Sequence, residues 1–314
     1  MATDLLRRAA DAALEAPIVP SFTKLGPAVR RHLWAWENVG PDALTGQVVV
    51  ITGATSGLGK VMAAGVGRSG ATVEVVGRDE ERGAQVAAEL RDAAVAAHFR
   101  RADLSDLADV RALATDLLGS HERISTVIHN AGALLGERTT TGDDLEVTWA
   151  TMVAGPHLLT RLLADRLDRA VWMSSGGMYL QAVDLDDLGW ARRPWNGSRV
   201  YAQAKRAQVD LVHEATERGE APLQVAMHPG WADTPGVEAA LPGFRKVMGP
   251  LLRDPEGGAE TAVWLAAAHD ADLKPGGFYL DRRPRGTVRW PRTATSPTDR
   301  RRLRAMVDAQ VGLA

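Results

Sequence analysis

The stretch Val48-Val49-Val50-Ile51-Thr52-Gly53-Ala54-Thr55-Ser56-Gly57-Leu58-Gly59 determines the fold expected for this chain. Its first five residues are apolar or β-branched and predict a buried strand over residues 48–52. Glycines follow, and a helix is predicted to begin at Gly57. Glycines in such a turn let the backbone approach a pyrophosphate, and the N-terminus of the helix offers unpaired N–H groups. A plain tight turn is the alternative, but the strand–loop–helix context favours dinucleotide binding.

Strands and helices alternate through the middle of the chain, which is typical of a parallel sheet covered on both faces. The predicted fold class is α/β: a Rossmann-type doubly wound parallel sheet in a single domain over residues 47–280. The predicted strands are 48–52, 72–76, 97–101, 124–129, 170–174 and 223–228, with 276–280 closing the sheet. The predicted helices are 57–68, 80–92, 106–118 with Ser105 as its cap, 143–165, 199–217 and 258–268.

Two segments lie outside this alternation. Residues 1–46 form a predicted N-terminal helical extension with short amphipathic helices at about 5–15 and 28–36, and residues 281–314 form an Arg-rich C-terminal tail. We expect the helices to pack on the domain and the tail to be solvated, because charge runs are usually solvated. Peripheral contact with an anionic membrane surface, or contact with a partner subunit, is the alternative.

The composition excludes several classes of function. The chain has 314 residues, no cysteine and a formal net charge of −2. The lack of cysteine excludes disulfides, thiolate nucleophiles and zinc–thiolate sites, and the near-neutral charge gives no reason to expect nucleic-acid binding. No His/Asp/Glu grouping has metal-ligand spacing, so no metal is predicted.

The expected location is cytoplasmic. The N-terminus carries Asp4, Arg7 and Arg8 without a long apolar run behind them, unlike a secretory signal. No stretch of the sequence is apolar enough for a spanning helix. The oligomeric state is not predicted by the sequence.

The spacing Thr52-Gly53-x-x-x-Gly57-x-Gly59 differs from G-x-G-x-x-G and resembles the short-chain dehydrogenase/reductase (SDR) family. Further motifs of that family follow in the expected order over about residues 46–280: Asp103, Asn130-Ala131-Gly132, Ser174-Ser175, Tyr201-x-x-x-Lys205, and Pro229-Gly230 with Thr234. The sequence around the last three motifs resembles the branch of the family called SDR family member twelve. The resemblance implies cofactor contacts from Gly53, Thr55, Ser56, Gly57, Leu58, Gly59, Asp103, Leu104, Asn130, Ala131, Gly132, Tyr201, Lys205, Pro229, Gly230 and Thr234.

The resemblance also implies three catalytic residues, which are Ser175, Tyr201 and Lys205. Ser175, rather than Ser174, is chosen by analogy with related sequences. Tyr201 and Lys205 are four apart on a predicted helix, so their side chains share a face. A lysine ammonium beside a tyrosine lowers the tyrosine pKa towards neutral pH, and such a tyrosine can pass a proton to or from a carbonyl or alcohol oxygen. Ser175 is expected to hydrogen-bond that oxygen, and Lys205 to hold the nicotinamide ribose.

The end of the second predicted strand favours NADP(H) over NAD(H). NAD-binding folds place a carboxylate there for the ribose 2′-OH, whereas NADP-binding folds place an arginine nearby for the 2′-phosphate. Here the acid position is Gly77 and Arg78 follows it. A guanidinium suits a phosphate, so we predict contact between Arg78 and the 2′-phosphate, although the next residue, Asp79, would weaken the preference.

One family position departs from the pattern. Alignment through Gly155 places Met152 where many members carry a catalytic Asn, and no Asn occurs between residues 143 and 165. A methionine keeps the backbone carbonyl and loses the side-chain amide, so we expect a proton relay of lower efficiency; plain core packing is the alternative for Met152. His129 stands where the family usually has another Asn and is expected to be structural.

The substrate is predicted to be a small lipophilic carbonyl or alcohol. An insertion of 25 residues between Ser175 and Tyr201 is rich in large apolar side chains: Met178, Tyr179, Trp190 and Trp195. A second variable stretch covers residues 231–253. Both leave from the ends of strands where ligands bind in such sheets, although the aromatic residues would also serve simply to anchor the loop.

The leading prediction is therefore an NADP(H)-dependent carbonyl reductase or alcohol dehydrogenase. A cofactor-binding sensor or scaffold with weak or no catalysis is the alternative, supported by Met152. An epimerase or dehydratase of the extended SDR branch is disfavoured by the glycine spacing and by the absence of a long C-terminal substrate domain.

Overall fold

The computed structural model describes residues 2–233 and 242–313. Thr234, a predicted cofactor contact, lies outside these residues. Three helices precede the sheet: α1 (Ala2–Glu15), α2 (Ile18–Phe22) and α3 (Leu25–Leu33). Eight strands follow in the described residues: β1 (Val48–Thr52), β2 (Thr72–Gly77), β3 (Ala97–Arg101), β4 (Ile124–His129), β5 (Leu167–Met173), β6 (Leu223–Met227), β7 (Phe278–Leu280) and β8 (Arg283–Arg285).

The remaining α-helices of the described residues are α4 (Gly57–Arg68), α5 (Glu80–Asp92), α6 (Leu107–Ser120), α7 (Val147–Trp149), α8 (Gly155–Leu163), α9 (Gly197–Glu217), α10 (Pro242–Met248), α11 (Pro255–Ala267) and α12 (Pro297–Gln310). A single turn of π-helix, the π-turn (Ala150–Ala154), joins α7 to α8. Short 3₁₀ turns occupy Gly176–Tyr179, Gly249–Leu251, Asp270–Asp272 and Pro291–Thr293. No helix of the described residues has the length and apolar character needed to cross a membrane.

The strand order is β3-β2-β1-β4-β5-β6-β7-β8, which is a doubly wound α/β sheet. Strands β1 to β7 pair in parallel, and β8 pairs antiparallel with β7. The chain leaves β1 towards β2 on one side and returns at β4 on the other. The carboxyl ends of β1 and β4 therefore border the crevice where ligands bind in sheets of this type.

The sheet is buried on both faces, which explains its continuous apolar strands. One face packs against α4, α5 and α11 through residues such as Met62, Val86 and Leu265. The other packs against α6, α8 and α9 through residues such as Leu113, Leu159 and Val209. The predicted fold class is thus confirmed, including helices that precede the sheet.

The helix boundaries differ from the prediction in several places, two of which are explained by capping. Asp106, not Ser105, caps α6, since its Oδ1 accepts hydrogen bonds from the backbone N–H groups of Ala108 (2.8 Å) and Asp109 (3.2 Å). The helix predicted from residue 143 begins instead at Val147, because Glu146 accepts hydrogen bonds from two first-turn N–H groups. Sequence periodicity missed both changes because capping depends on side-chain geometry rather than on apolar spacing.

The expectation of a solvated C-terminal tail is wrong. Strand β8 extends the sheet, and α12 packs against α9 with Leu303 and Val307 fully buried. Several arginines of this segment are paired with carboxylates: Arg304, for example, lies 2.8 Å from both Glu220 and Asp308. The number of charged residues did not predict this packing, because carboxylates that pair with these arginines, such as Glu220, lie in distant parts of the chain.

Candidate functional site

The glycine loop between β1 and α4 needs its glycines for close packing. Gly53 has φ +66° and Gly57 has φ +52°, a region that favours glycine. A Cβ on Gly59 would lie 2.3 Å from the Gly53 carbonyl oxygen, and one on Gly53 would lie 2.8 Å from the Cα of Ala131. Ser56 is the N-cap residue of α4, yet its side chain bonds none of the first-turn N–H groups. The N-terminus of α4 therefore presents backbone N–H groups beside a compact glycine turn, with Thr55 and Leu58 in the same segment.

A hydrogen-bonded clamp joins this loop to the end of β4. The Nδ2 of Asn130 donates to the carbonyls of Thr52 (3.0 Å) and Gly53 (3.1 Å). In return, the Oγ1 of Thr52 accepts the backbone N–H groups of Asn130 and Ala131, each at 3.1 Å. Gly132 follows and is exposed. The structure thus brings the glycine loop and the Asn130-Ala131-Gly132 segment together at the crevice.

The residues predicted for the adenosine end lie at the ends of β2 and β3. Arg78 is exposed and, within the described ranges, makes no hydrogen bond or ion pair. The carboxylate of Asp79 is engaged elsewhere: it caps α5 by accepting the N–H of Arg82 at 3.0 Å and lies 3.3 Å from the Arg82 guanidinium. A Cβ on Gly77 would lie 2.5 Å from the Cγ2 of Thr55, so the position is packed against the glycine loop.

The predicted contacts after β3 are partly occupied by local bonds. The Oδ1 of Asp103 accepts the backbone N–H (2.9 Å) and hydroxyl (2.7 Å) of Ser105. Leu104 is buried, and its carbonyl oxygen would lie 2.1 Å from a Cβ on Gly155. Asp103 is thereby held in a fixed orientation beside the crevice.

The two serines at the end of β5 have different environments. Ser174 is buried and donates its hydroxyl to the carbonyl of Lys205 at 2.8 Å. Ser175 caps the following 3₁₀ turn, with the N–H of Gly177 donating to its Oγ at 3.2 Å. Its side chain lies near Tyr201 and favours a lower pKa of that tyrosine. Of the pair, Ser175 is therefore the one that meets Tyr201.

Tyr201 and Lys205 lie on α9, but their electrostatics differ from the prediction. Burial raises the pKa of Tyr201, and the hydrogen bond from Ser175 partly opposes that rise. Burial lowers the pKa of Lys205 to about 7, and its Nζ donates to the carbonyl of Met173 at 2.5 Å. The expectation that Lys205 lowers the pKa of Tyr201 is wrong for this arrangement, because the lysine is itself desolvated and bonded to the backbone, with Nζ 5.4 Å from the tyrosine ring centre.

Met152 lies in the π-turn, and its carbonyl is bound by a residue that the sequence analysis missed. The Nε2 of Gln208 donates to the Met152 carbonyl at 2.7 Å, while the buried Oε1 of Gln208 has no partner among the described residues. Gln208 lies three positions after Lys205, so helical spacing was a signal that could have identified it. The Met152 side chain is fully buried, which agrees with core packing.

His129 has a structural environment at the end of β4. Its Nε2 bonds the hydroxyl of Thr160 at 2.7 Å, and that hydroxyl donates to the Pro156 carbonyl at 2.9 Å. Nε2 must therefore carry the proton. Burial lowers the pKa of His129 to about 3.

The turn after β6 contains the other predicted cofactor contacts, Pro229 and Gly230. Gly230 has φ +74°, and its N–H donates to the Nδ1 of His228 at 3.0 Å. A Cβ there would lie 2.2 Å from the Nε of Arg253 and 2.7 Å from the carbonyl oxygen of Phe22. Residues of the N-terminal extension were not predicted at the site, because contacts between distant segments leave no periodic signal.

The aromatic residues of the insertion after β5 anchor the loop. Met178, Tyr179 and Trp190 are buried. The Tyr179 hydroxyl donates to the Gly286 carbonyl at 2.7 Å, and Trp195 donates to the Leu135 carbonyl at 3.2 Å. Their packing agrees with the alternative that these aromatic residues serve to anchor the loop.

Comparisons with known proteins agree with this arrangement. Residues 47–240 match the family model described as short chain dehydrogenase. Dehydrogenase/reductase SDR family member 12 of Homo sapiens is 36% identical over 271 residues, covering 83% of this chain and 84% of that protein. Retinol dehydrogenase 13 of Homo sapiens is 32% identical over 285 residues, covering 84% and 86% respectively.

A solved structure extends the likeness to the fold. The crystal structure of a protein from Mycobacterium paratuberculosis has a TM-score of 0.72 at 29% identity, covering 88% of this chain and 97% of that one. The predicted resemblance, including the similarity to SDR family member 12, is confirmed. The chain therefore belongs to the short chain dehydrogenase family of oxidoreductases.

Proposed function

We propose that the protein interconverts a carbonyl and an alcohol with NADP(H), with Tyr201 as the acid/base and a lipophilic small molecule as substrate. The observation that carries this proposal is the group formed by Ser175, Tyr201 and Lys205 beside the crevice. The lipophilic substrate is supported by the similarity to a protein named retinol dehydrogenase. The catalytic domain would comprise residues 47–280, between the N-terminal extension and the C-terminal segment.

The residues at the crevice fit a dinucleotide. The glycine loop leaves no room for side chains, and the N-terminus of α4 is not capped by Ser56, so backbone N–H groups face the loop. Such a helix terminus suits a pyrophosphate. Gly53, Gly57 and Gly59 would hold the pyrophosphate.

The adenosine and nicotinamide ends would be held by other predicted contacts. Arg78, which has no partner among the described residues, would hold the 2′-phosphate. Asp103 and the segment Asn130–Gly132 would line the adenosine side, and Pro229 and Gly230 the nicotinamide side. NAD(H) is the less favoured cofactor because the Asp79 carboxylate caps α5, and because residue 77 is a glycine rather than an acidic residue.

The chain's own residues would handle the proton. When bound, NADP(H) supplies or accepts the hydride. Tyr201 would donate its hydroxyl proton to the carbonyl oxygen in reduction and take it back in oxidation. Ser175, whose side chain lies near that hydroxyl, would hydrogen-bond the reacting oxygen.

Lys205 would support this proton transfer. Its pKa of about 7 lets it gain or lose a proton near neutral pH, as an efficient proton-transfer group requires. A positioned acid/base of this sort contributes roughly 10²–10⁴ in rate.

A sensor or scaffold with little catalysis is the second candidate. The observation that favours it is Met152, which lacks the amide that many family members carry at that position. The intact Ser175, Tyr201 and Lys205 group argues against it.

The test is turnover of NADPH with a panel of lipophilic aldehydes and ketones. Tyr201→Phe removes the hydroxyl alone and should lower kcat by roughly 10²–10⁴, whereas NADPH affinity should fall by no more than about tenfold, the scale of one lost hydrogen bond. Tyr179→Phe is the matched control, because it removes another buried hydroxyl, which donates to the Gly286 carbonyl. Tight NADPH binding without turnover on the whole panel would favour the sensor, and turnover that survives Tyr201→Phe would refute Tyr201 as the acid/base.

A further inference from the structure

The N-terminal extension enters the site through one buried aromatic ring. Phe22, the last residue of α2, is 2% exposed. Its ring centre lies 4.3 Å from that of His228 and 5.7 Å from that of Trp231, both in edge-on contact. On the other side, a Cβ on Gly176 would lie 2.5 Å from the Cε2 of Phe22. The ring therefore fills the space between the turn that begins at Ser175 and the turn after β6.

The backbone of Phe22 binds the second of these turns directly. Its carbonyl accepts the N–H of Trp231 at 2.7 Å and the Nε of Arg253 at 3.0 Å. Arg253 also donates to the Ser21 carbonyl at 2.8 Å. Trp231 and Arg253 are in turn joined, since the Arg253 N–H donates to the Trp231 carbonyl at 2.8 Å. The conformation of the turn containing Gly230 thus depends on α2.

A buried ion network fixes the extension to the sheet. Arg30 of α3 has a fully buried side chain and lies 2.8 Å from Asp11 of α1 and 2.6 Å from Asp281, the residue after β7. Arg253 lies 2.6 Å from the same Asp281. A buried charge requires paired partners, so the network holds α1 and α3 in one arrangement on the domain. The position of Phe22 is consequently fixed by this network and by the turn after β6.

We infer that α2, through Phe22, is a positioning element of the reaction site that sets the Ser175 turn against the Pro229–Gly230 turn. This inference rests on the proposed function, because it assigns those two turns to the substrate oxygen and to the nicotinamide end. The adenosine end lies at β2 and β3, and none of the Phe22 contacts among the described residues reaches the ends of those strands. Loss of the ring should therefore weaken binding at the nicotinamide end of the cofactor and leave binding at the adenosine end unchanged.

The experiment compares Phe22→Ala with Val19→Ala in the full chain. Val19 lies on the same helix, is 45% exposed and has no part in the contacts described, so it controls for changes in α2 itself. Two affinities are measured by calorimetry: that for NADPH and that for 2′-phospho-ADP-ribose, which is the same cofactor without its nicotinamide ring. The kcat of the same variants for NADPH-dependent reduction, with a carbonyl substrate from the panel, is measured well below their midpoint temperatures of unfolding.

Phe22→Ala is expected to lower kcat by about 10²-fold, the scale of a small misplacement of reacting groups. Its NADPH affinity should fall about 5–10-fold, the scale of one lost hydrogen bond, whereas its affinity for the fragment should stay within about twofold of wild type. Val19→Ala should match wild type in all three measurements. Phe22→Leu, which keeps an apolar side chain between the turns, should recover part of the loss.

Three outcomes would overturn the inference. If Phe22→Ala behaves as Val19→Ala does, the ring does not position the site. If the affinities for NADPH and the fragment fall together, Phe22 supports the whole fold rather than one end of the site. If the wild-type protein binds neither ligand, the proposed function fails and this inference fails with it.

Discussion

Replacing Arg78 with alanine should convert a preference for NADPH into near-indifference between NADPH and NADH. The Arg78 guanidinium is exposed and unpaired within the described residues, so binding a phosphate would break no existing ion pair. Hydrogen bonds to charged groups contribute about 1.5–3 kcal/mol, and exposure to solvent favours the lower end. About 1.5 kcal/mol corresponds to roughly tenfold in affinity, and we expect the ratio of the two dissociation constants to change by that factor.

The assay is titration of protein fluorescence with NADPH and NADH at two salt concentrations. Arg82→Ala is the matched control, because Arg82 is also exposed near the start of α5 but is paired with Asp79. It should change the ratio by less than about twofold, the usual scale for one exposed ion pair. The wild-type preference should weaken at high salt, since the charge on Arg78 is screened. Equal wild-type affinity for both cofactors, unaltered by Arg78→Ala, would refute the role of Arg78.

Three further perturbations test other parts of the site. Met152→Asn restores a side-chain amide near Gln208 and should raise kcat; an unchanged kcat would exclude Met152 from the mechanism. Thr52→Val removes the acceptor of the Ala131 N–H and one of the two acceptors of the Asn130 N–H, and should lower the free energy of unfolding in urea by about 1–3 kcal/mol, whereas an unchanged value would show that the clamp is dispensable. His129 has a folded pKa of about 3, below its unfolded value of 6.5, so the unfolded state binds the extra proton between these values and stability falls as the pH drops through them, by up to about 1.4 kcal/mol per pH unit. His129→Gln keeps a donor without titration and should flatten that dependence in urea unfolding measured from pH 7 to pH 4; an equal slope in both proteins would contradict it.

Local patterns predicted the central fold. The strand predicted at residues 48–52 and the helix at 57–68 match β1 and α4, because continuous apolar runs and glycine spacing are properties of neighbouring residues. The pairing of Tyr201 and Lys205 on α9 was likewise predictable from a spacing of four. These features need no knowledge of distant segments.

Contacts across the chain were not predictable in this way. Phe22 meets His228 only after the fold has formed, and no periodicity marks such a pair. The Lys205 pKa depends on burial and on the Met173 carbonyl, whereas the sequence shows only the proximity of Lys205 to Tyr201. The C-terminal arginines were misread for the same reason, because their carboxylate partners lie far away along the chain.

Both outer strands of the sheet discourage pairing with another sheet. At one edge, β3 ends in Arg100 and Arg101, and at the other, β8 consists of Arg283, Pro284 and Arg285. Proline has no N–H to donate, and charged side chains on short edge strands oppose edge-to-edge association. High protein concentration should therefore not extend the sheet from one molecule into the next.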